Sequence, residues 1–188
     1  MHDNAEHFVR GNQKMGEPLK KFREKLIDLK EDFERGDVLV EENWGFTIDW
    51  QPTGWFADDI WLRMKLDAFR WLDADKTIAD AIDHKTGKIF GNEVKHAQQG
   101  QLYAVGAFMR YPTLQVVHVK FWYLDHGKET VRTYTREQAM KLFTGYNNRG
   151  LNVTTETRFS PKPSKMNCLY CPFGNENGNS ACEWVFEP

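Results

Sequence analysis

Two stretches of alternating hydrophobic and polar residues constrain the fold of this chain most. The first covers residues 59–67 and ends at Asp67, and the second covers residues 77–85 and contains Asp83 near its end. A period of two indicates strands that bury one face, and the turn-forming composition of residues 72–76 predicts an antiparallel hairpin between them. The hairpin is expected to bring the carboxylates of the two aspartates together.

A lysine and a downstream helix complete the pattern. Lys85 follows Asp83 by two positions, so both side chains are expected on one face of the second strand. Two adjacent carboxylates repel each other, and a bound cation or a nearby lysine keeps both ionised. A helix is predicted over Glu93–Tyr111, where Gln99 and Tyr103 share one face and are expected to lean over a divalent-metal site.

This arrangement resembles the PD-(D/E)xK nuclease superfamily, and more narrowly its RecB-like branch, which includes exonucleases of phages and of CRISPR systems. Asp67 matches the first acid of the family, and Asp83 and Lys85 match its Asp-x-Lys motif. Gln99 and Tyr103 match the Gln-x-x-x-Tyr motif of the branch. The resemblance covers most of the chain, with the motifs in the family's order.

The resemblance implies an α/β domain with a restriction-endonuclease-like core, in which helices flank a mixed central sheet. It implies that Asp67, Asp83 and the backbone carbonyl of His84 bind Mg2+ or Mn2+, and that Lys85 orients the attacking water. Gln99 and Tyr103 are implied to position the DNA strand and the lysine. The implied reaction is hydrolysis of DNA phosphodiester bonds at a free or single-stranded end during repair, recombination or phage DNA processing.

The first residues of the chain resemble the motif that carries a helix-borne histidine in the exonuclease members. His2 is the matching position, and the resemblance implies that it is a further metal ligand. Family members carry several tens of residues ahead of this histidine, whereas only Met1 precedes it here. The sequence is therefore expected to be a short variant, a fragment or a gene start placed at an internal methionine.

All three cysteines, Cys168, Cys171 and Cys182, lie in the C-terminal segment. In a cytosolic protein this spacing favours metal ligation over a disulfide. The Cys-x-x-Cys-Pro-Phe sequence resembles part of the iron-sulfur motif of cluster-bearing RecB-like exonucleases, which implies a [4Fe-4S] cluster whose fourth cysteine lies upstream of this chain. A zinc site completed by a histidine, and three thiols without metal, are the alternatives.

Length and charge agree with one soluble, cytoplasmic domain. The 188 residues contain no apolar run long enough to span a membrane, and the start of the chain is polar, unlike a secretory signal. We expect a core over residues 1–160 and an irregular tail over residues 161–188 that packs on it. The net charge of −2 gives no overall basic signature of DNA binding. A local basic stripe is expected from Lys20, Lys21, Arg23, Lys25, Lys162 and Lys165.

The remaining elements follow from periodicity. Glu17–Gly36 is predicted as one amphipathic helix, and Val38–Phe46 as a strand. In the RecB-like branch a glutamate on this strand often supports the site, and either Glu41 or Glu42 matches it, because alternation turns only one inward. Two further strands are predicted over residues 113–124 and 129–134, followed by a helix with Thr135 as its N-cap.

Two other functions compete with the exonuclease hypothesis. The first is a catalytically inactive module of the same fold that binds DNA or a protein partner, and the intact Asp67, Asp83 and Lys85 argue against it. The second is an endonuclease of the restriction type, which the Gln99 and Tyr103 pattern disfavours. The residues alone do not fix the strand polarity or the oligomeric state.

Overall fold

A six-stranded mixed sheet flanked by helices forms the core of the protein, so the predicted α/β fold class is confirmed. The computed structural model describes residues 2–87, 89–174, 178–184 and 186. The chain forms two compact units, Met1–Asn147 and Asn148–Pro188. The predicted core boundary at residue 160 and the packing of the tail stay predictions. Within the described residues, no helix combines the length and hydrophobicity that a membrane crossing requires.

The order of strands across the sheet places the two central carboxylate-bearing strands side by side. The helices are α1 (His2–Val9), α2 (Arg23–Arg35), α3 (Glu93–Arg110), α4 (Arg136–Thr155) and α5 (Lys165–Leu169), with a 3-10 helix at Glu17–Phe22. The strands are β1 (Val38–Phe46), β2 (Pro52–Thr53), β3 (Leu62–Trp71), β4 (Ile78–Lys85), β5 (Val116–Tyr123) and β6 (Lys128–Thr135). The sheet order is β2-β1-β3-β4-β5-β6. Neighbouring strands are antiparallel except β4 and β5, which run parallel and are joined by α3.

Each face of the sheet carries its own hydrophobic core. The helices α3 and α4 cover one face, where Trp44, Met64, Leu66, Phe69, Tyr103 and Phe108 are buried. The helices α1 and α2 and the 3-10 helix cover the other face, where Ala5, Leu19, Leu26, Val40, Ala68 and Ile82 are buried. We call these the α3 face and the α2 face. A sheet covered on both faces keeps its central strands away from water, except where they reach the ends of the sheet.

The predicted helix over Glu17–Gly36 is wrong in one respect, because it consists of two helices. A 3-10 helix precedes α2, and its buried Leu19 and Phe22 are three residues apart, which matches the three residues per turn of that helix. The helix α2 ends where predicted, since Gly36 adopts a left-handed φ of 86° and its N–H bonds back to Asp32 and Phe33.

The hairpin forms, but its first strand lies later in the sequence than predicted. β3 covers Leu62–Trp71 instead of residues 59–67, so Asp67 lies inside the strand and not at its end. The difference arises because residues 68–71 pair with β4, which the alternation of the first stretch does not reveal. The turn between the strands is confirmed, and the Asp73 carboxylate closes it by accepting the N–H of Thr77 at 2.9 Å.

The later elements agree closely with the sequence. β1 has the predicted bounds, and α3 ends one residue before the predicted end. The helix α4 begins after a reciprocal capping box: Thr135 Oγ1 accepts the N–H of Gln138 at 3.3 Å, and Gln138 Oε1 accepts the N–H of Thr135 at 3.0 Å. Thr135 is therefore the N-cap of α4, as predicted.

The alternation of side chains shifts by one residue in the middle of the sheet. Leu66 packs on the α3 face, whereas Ala68, two positions on in β3, packs on the α2 face. In the neighbouring β1, Val40 packs on the α2 face and Trp44 on the α3 face. Glu41 takes a left-handed φ of 57° between them, which is an uncommon conformation for a residue with a side chain. The shift falls beside Asp67.

We predict that Gly106→Ala destabilises the protein although it improves helix propensity. A Cβ at Gly106 of α3 would lie 2.5 Å from Met64 Sδ, whereas a Cβ at Gly145 of α4 would meet nothing within 4 Å. Overpacking costs about 1–3 kcal/mol and outweighs a propensity gain of about 1 kcal/mol. Urea unfolding should show a lower stability for Gly106→Ala and a higher one for the control Gly145→Ala. Equal gains in both variants would contradict the close packing of α3 on the sheet.

Candidate active site

The candidate site lies where the pairing of β3 with β4 stops. The paired residues run from Trp71 opposite Ala79 to Ala68 opposite Ile82. Continuing this register by one residue places Asp67 opposite Asp83. The two predicted acids therefore follow the last pair of the ladder, one on each strand.

Beyond the last pair of the ladder, side chains bond backbone N–H and C=O groups of the two strands. Asp67 Oδ2 accepts the backbone N–H of His84 at 2.5 Å, and the hydroxyl of Tyr103 lies 2.9 Å from the carbonyl oxygen of Lys65. Backbone groups that lose a strand partner need a replacement when water is excluded. The local separation of the strands is thus supported by one acid of the site and by the tyrosine of the helix above it.

Asp83 is the most enclosed acid of the site, with 6% of its surface exposed. Its Oδ1 accepts the hydroxyl of Tyr103 at 2.8 Å and the amide of Gln99 at 3.3 Å. Its Oδ2 forms an ion pair with Lys85 Nζ at 2.7 Å. Burial raises the pKa of Asp83, Lys85 lowers it, and the negative charge of Asp67 raises it again.

Lys85 connects the acid to the helix. Its ammonium group donates to Gln99 Oε1 at 2.7 Å and lies 5.3 Å from the centre of the Phe121 ring. The predicted common face of Asp83 and Lys85 is therefore observed, because the two side chains touch each other under α3. The side-chain oxygen of Gln99 accepts from Lys85, and the side-chain nitrogen of Gln99 donates to the hydroxyl of Tyr103 at 2.6 Å.

Tyr103 serves the site as a neutral hydroxyl. Burial raises its pKa, and the charge of Asp83 raises it further. The hydroxyl carries one proton, so it donates either to Asp83 or to the carbonyl of Lys65 while it accepts from Gln99. Gln99 and Tyr103 thus share one helix face, as their spacing predicts, and both reach Asp83.

His96 is a member of this helix face that the sequence reasoning did not single out. Its Nδ1 lies 2.8 Å from the hydroxyl of Tyr123, and its ring stacks on Phe121 at 5.7 Å between centroids. Burial lowers the pKa of His96, and so does the nearby Lys85. The signal was present in the spacing, since His96 precedes Gln99 by three residues and therefore falls on the same helix face.

The structure gives Glu41 and Glu42 different partners. Glu42 Oε2 accepts the indole N–H of Trp44 at 3.1 Å, whereas Glu41 Oε2 forms an ion pair with Lys65 at 2.6 Å. This pair raises the pKa of Lys65, and Asp67 raises it further. Lys65 thus connects Glu41 electrostatically to Asp67, and a supporting role for either glutamate stays a prediction.

The two predicted histidines have different outcomes. The His84 ring is buried, packs against Trp122 at 5.5 Å between centroids, and places its Nδ1 3.9 Å from Asp67 Oδ2. The structure thus gives the ring a packing role beside the site, and ligation by the His84 carbonyl stays a prediction. His2 belongs to α1, but its side chain lies outside the described residues.

The cysteines belong to the second unit, Asn148–Pro188, and all three are free thiols. Cys168 Sγ accepts the backbone N–H of Phe186 at 3.4 Å, and Cys182 Sγ accepts that of Trp184 at 3.4 Å. The N–H of Cys171 donates to the carbonyl of Cys168 at 3.3 Å. The segment thus folds back on itself, and the predicted cluster or zinc site stays a prediction.

The predicted basic stripe is partly engaged within the protein. Lys20 pairs with Glu17 at 2.6 Å, Lys21 donates to the carbonyl of Asp125 at 2.6 Å, and Lys25 pairs with Glu129. These partners reduce the charge that the stripe offers to a polyanion. Its role in DNA binding stays a prediction.

Neither a cluster of metal-binding side chains nor similarity to a known protein identifies the function of the site. Among the described residues, no three His, Cys, Asp or Glu side chains converge as a metal-binding group. No family model matches the chain, and no curated protein matches it. The function is therefore inferred from the residues of the site and from their contacts.

Removing the Tyr103 hydroxyl should destabilise the protein measurably. In Tyr103→Phe, the single hydroxyl proton that Asp83 Oδ1 and the carbonyl of Lys65 share is lost, which we expect to cost about 1–3 kcal/mol of unfolding free energy. The matched control is Tyr170→Phe, at a tyrosine that is 75% exposed. It should change stability by less than about 0.5 kcal/mol. Indistinguishable urea midpoints for the two variants would contradict the role of the hydroxyl.

Proposed function

We propose that this protein is a divalent-metal-dependent deoxyribonuclease of the exonuclease type, within the RecB-like branch of the PD-(D/E)xK superfamily. One observation carries the proposal. Asp83, Lys85, Gln99 and Tyr103 form one connected polar network, and Asp67 and Asp83 are the next residues after the last pair of the β3–β4 ladder. A structural ion pair needs no such combination of two acids, a lysine and an amide-tyrosine pair on the covering helix.

The donor set fits a hard divalent cation. Asp67, Asp83 and the backbone carbonyl of His84 would supply oxygen ligands, which suit Mg2+ and Mn2+. Burial and the charge of Asp67 both disfavour ionised Asp83, and a bound cation would offset this cost. Such a metal supplies a Lewis acid for the phosphate and lowers the pKa of a bound water.

Lys85 would act on the water and the phosphate. Its ammonium group lies 2.7 Å from Asp83 Oδ2, so it is adjacent to the proposed metal ligands without being one. Gln99 fixes its direction through the 2.7 Å bond to Oε1. A positioned ammonium group can orient the attacking water and stabilise the negative charge that develops on the phosphate.

The helix residues would position the reacting groups. Tyr103 holds Asp83, and Gln99 holds both Lys85 and Tyr103, so the helix fixes the acid and the lysine relative to each other. The family resemblance adds His2 as a further ligand and exonuclease activity as the outcome. The proposed substrate is DNA with a free or single-stranded end.

The tail is proposed to bind a [4Fe-4S] cluster through Cys168, Cys171 and Cys182, with a fourth ligand from outside this chain. Backbone N–H groups that donate to two of the sulfurs support thiolate character. Free thiols also suit the reducing cytoplasm, which we propose as the compartment. Iron and sulfide in the anaerobically purified protein support the cluster, zinc alone supports a zinc site, and neither supports packing thiols.

We predict Mg2+-dependent degradation of linear DNA, with closed circular DNA resistant. Asp83→Asn should abolish activity, because it removes the charge that holds the cation. Asp75→Asn is the matched control, since Asp75 lies exposed in the turn between β3 and β4, and it should retain full activity. Binding of DNA without cleavage would favour the inactive module instead. Cleavage of circles would favour an endonuclease.

Lys85→Ala and Asp83→Ala should separate metal binding from turnover. Lys85→Ala should retain Mn2+ binding in calorimetric titration but lose about 10²–10³-fold in turnover, because it removes a positioned donor. Asp83→Ala should lose both properties, because it removes a ligand. Equal loss of Mn2+ affinity in the two variants would contradict the role assigned to the lysine.

A further inference from the structure

The most exposed large hydrophobic side chains of the first unit lie in loops or at the start of α3. Among its described residues, the most exposed are Ile48 at 52%, Phe56 at 87%, Phe90 at 81% and Val94 at 71%. Isolated exposed hydrophobic residues are normal, but a concentration of them around a polar site indicates an interaction surface.

The segments that carry these residues follow β1, precede β3 or follow β4, which places them at the end of the sheet that carries the site. β3 begins at Leu62 and the neighbouring antiparallel β4 ends at Lys85, so the start of β3 and the end of β4 share one end. Phe56 lies in the loop that enters β3, and Phe90 lies in the loop that leaves β4. The two phenylalanines therefore belong to loops on adjacent strands next to the candidate site.

The loops are anchored, although the two rings are not buried. Trp61 and Ile89, which are close neighbours of these phenylalanines in sequence, pack against the core of the α3 face. Burying a phenylalanine stabilises a protein by about 1.5–3 kcal/mol. Two phenylalanines that stay in solvent on anchored loops forgo that stabilisation, which is the expected pattern when a ligand covers them.

A cation accompanies the first ring. The guanidinium of Arg63 lies 5.6 Å from the centre of the Trp55 ring and 6.0 Å from that of Phe56. Its Nε also donates to the carbonyl of Trp55 at 2.9 Å, which fixes the arginine against this loop. Exposed aromatic rings beside a positive charge are the features with which proteins bind single-stranded nucleic acids: bases stack on the rings, and phosphates meet the cation.

We propose that Phe56 and Phe90, together with Arg63, form a stacking surface for unpaired bases of single-stranded DNA that leads into the site. The identity of the nucleic acid rests on the proposed nuclease function. Unpaired bases are required because the faces of paired bases are already stacked within a duplex. The surface thus assigns single-stranded DNA as the substrate class of the site.

The length of β3 gives the distance between the Phe56 loop and the candidate site. Asp67 lies five residues after the first residue of β3, Leu62, which corresponds to about 16 Å along an extended strand. A stacked strand advances about 3.4 Å per nucleotide, so this distance spans roughly five nucleotides. The Phe56 loop would therefore contact bases away from the scissile phosphate and affect binding more than chemistry.

Fluorescence anisotropy with a thymidine oligonucleotide and an abasic strand of equal length tests the proposal. The wild-type protein is used with a chelator, so that binding is measured without cleavage. Phe56→Ala and Phe90→Ala should each weaken binding of the thymidine strand about five-fold or more, and leave binding of the abasic strand unchanged. Phe56→Tyr should retain binding and Phe56→Leu should lose it, because stacking requires an aromatic ring.

Leu72→Ala is the control for location, since Leu72 is 44% exposed and follows β3 at the opposite end of the sheet. It should leave both affinities unchanged. Equal affinity of the wild type for the two strands, or equal effects of Phe56→Ala and Leu72→Ala, would overturn the proposal. Ring-dependent binding without any DNA hydrolysis keeps the stacking surface and rejects the nuclease. DNA hydrolysis that depends on neither ring keeps the nuclease and rejects the stacking surface.

Discussion

The structure depends on one interruption, the separation of β3 from β4 at Asp67 and Asp83. A regular ladder would pair the backbone groups of the two strands at these residues. Instead, Asp67 accepts the N–H of His84, and the hydroxyl of Tyr103 lies next to the carbonyl of Lys65. The same side chains that the proposed chemistry requires thus also bond the backbone groups where the ladder ends.

Ion pairs on one face of the sheet and close helix packing on the other hold the strands together around the end of the ladder. On the α2 face, the fully buried Asp80 of β4 lies 2.6 Å from Arg70 of β3 and 2.7 Å from Lys120 of β5, which joins three strands. On the α3 face, the helix approaches closely, since a Cβ at Gly100 would lie 3.2 Å from Val119 and Phe121. This short distance allows the polar side chains of α3 to reach Asp83.

Local patterns predicted much of this arrangement. Alternation predicted the hairpin, and the four-residue spacing of Gln99 and Tyr103 predicted their common helix face, because both signals reside in consecutive residues. The shift of alternation at Glu41 and Asp67 was not predictable in this way, since it depends on the pairing of two strands that are distant in sequence. His96 was missed because a single histidine on a helix carries little information without the site beneath it.

The proposed function requires that Asp67 and Asp83 together bind a divalent cation. Anomalous diffraction from crystals soaked in Mn2+ tests it most directly, because the signal locates the metal without reference to activity. We expect one strong peak within about 2.0–2.3 Å of a carboxylate oxygen from each aspartate. A peak elsewhere, or Lys85 Nζ still paired with Asp83 and no peak at saturating Mn2+, would contradict it.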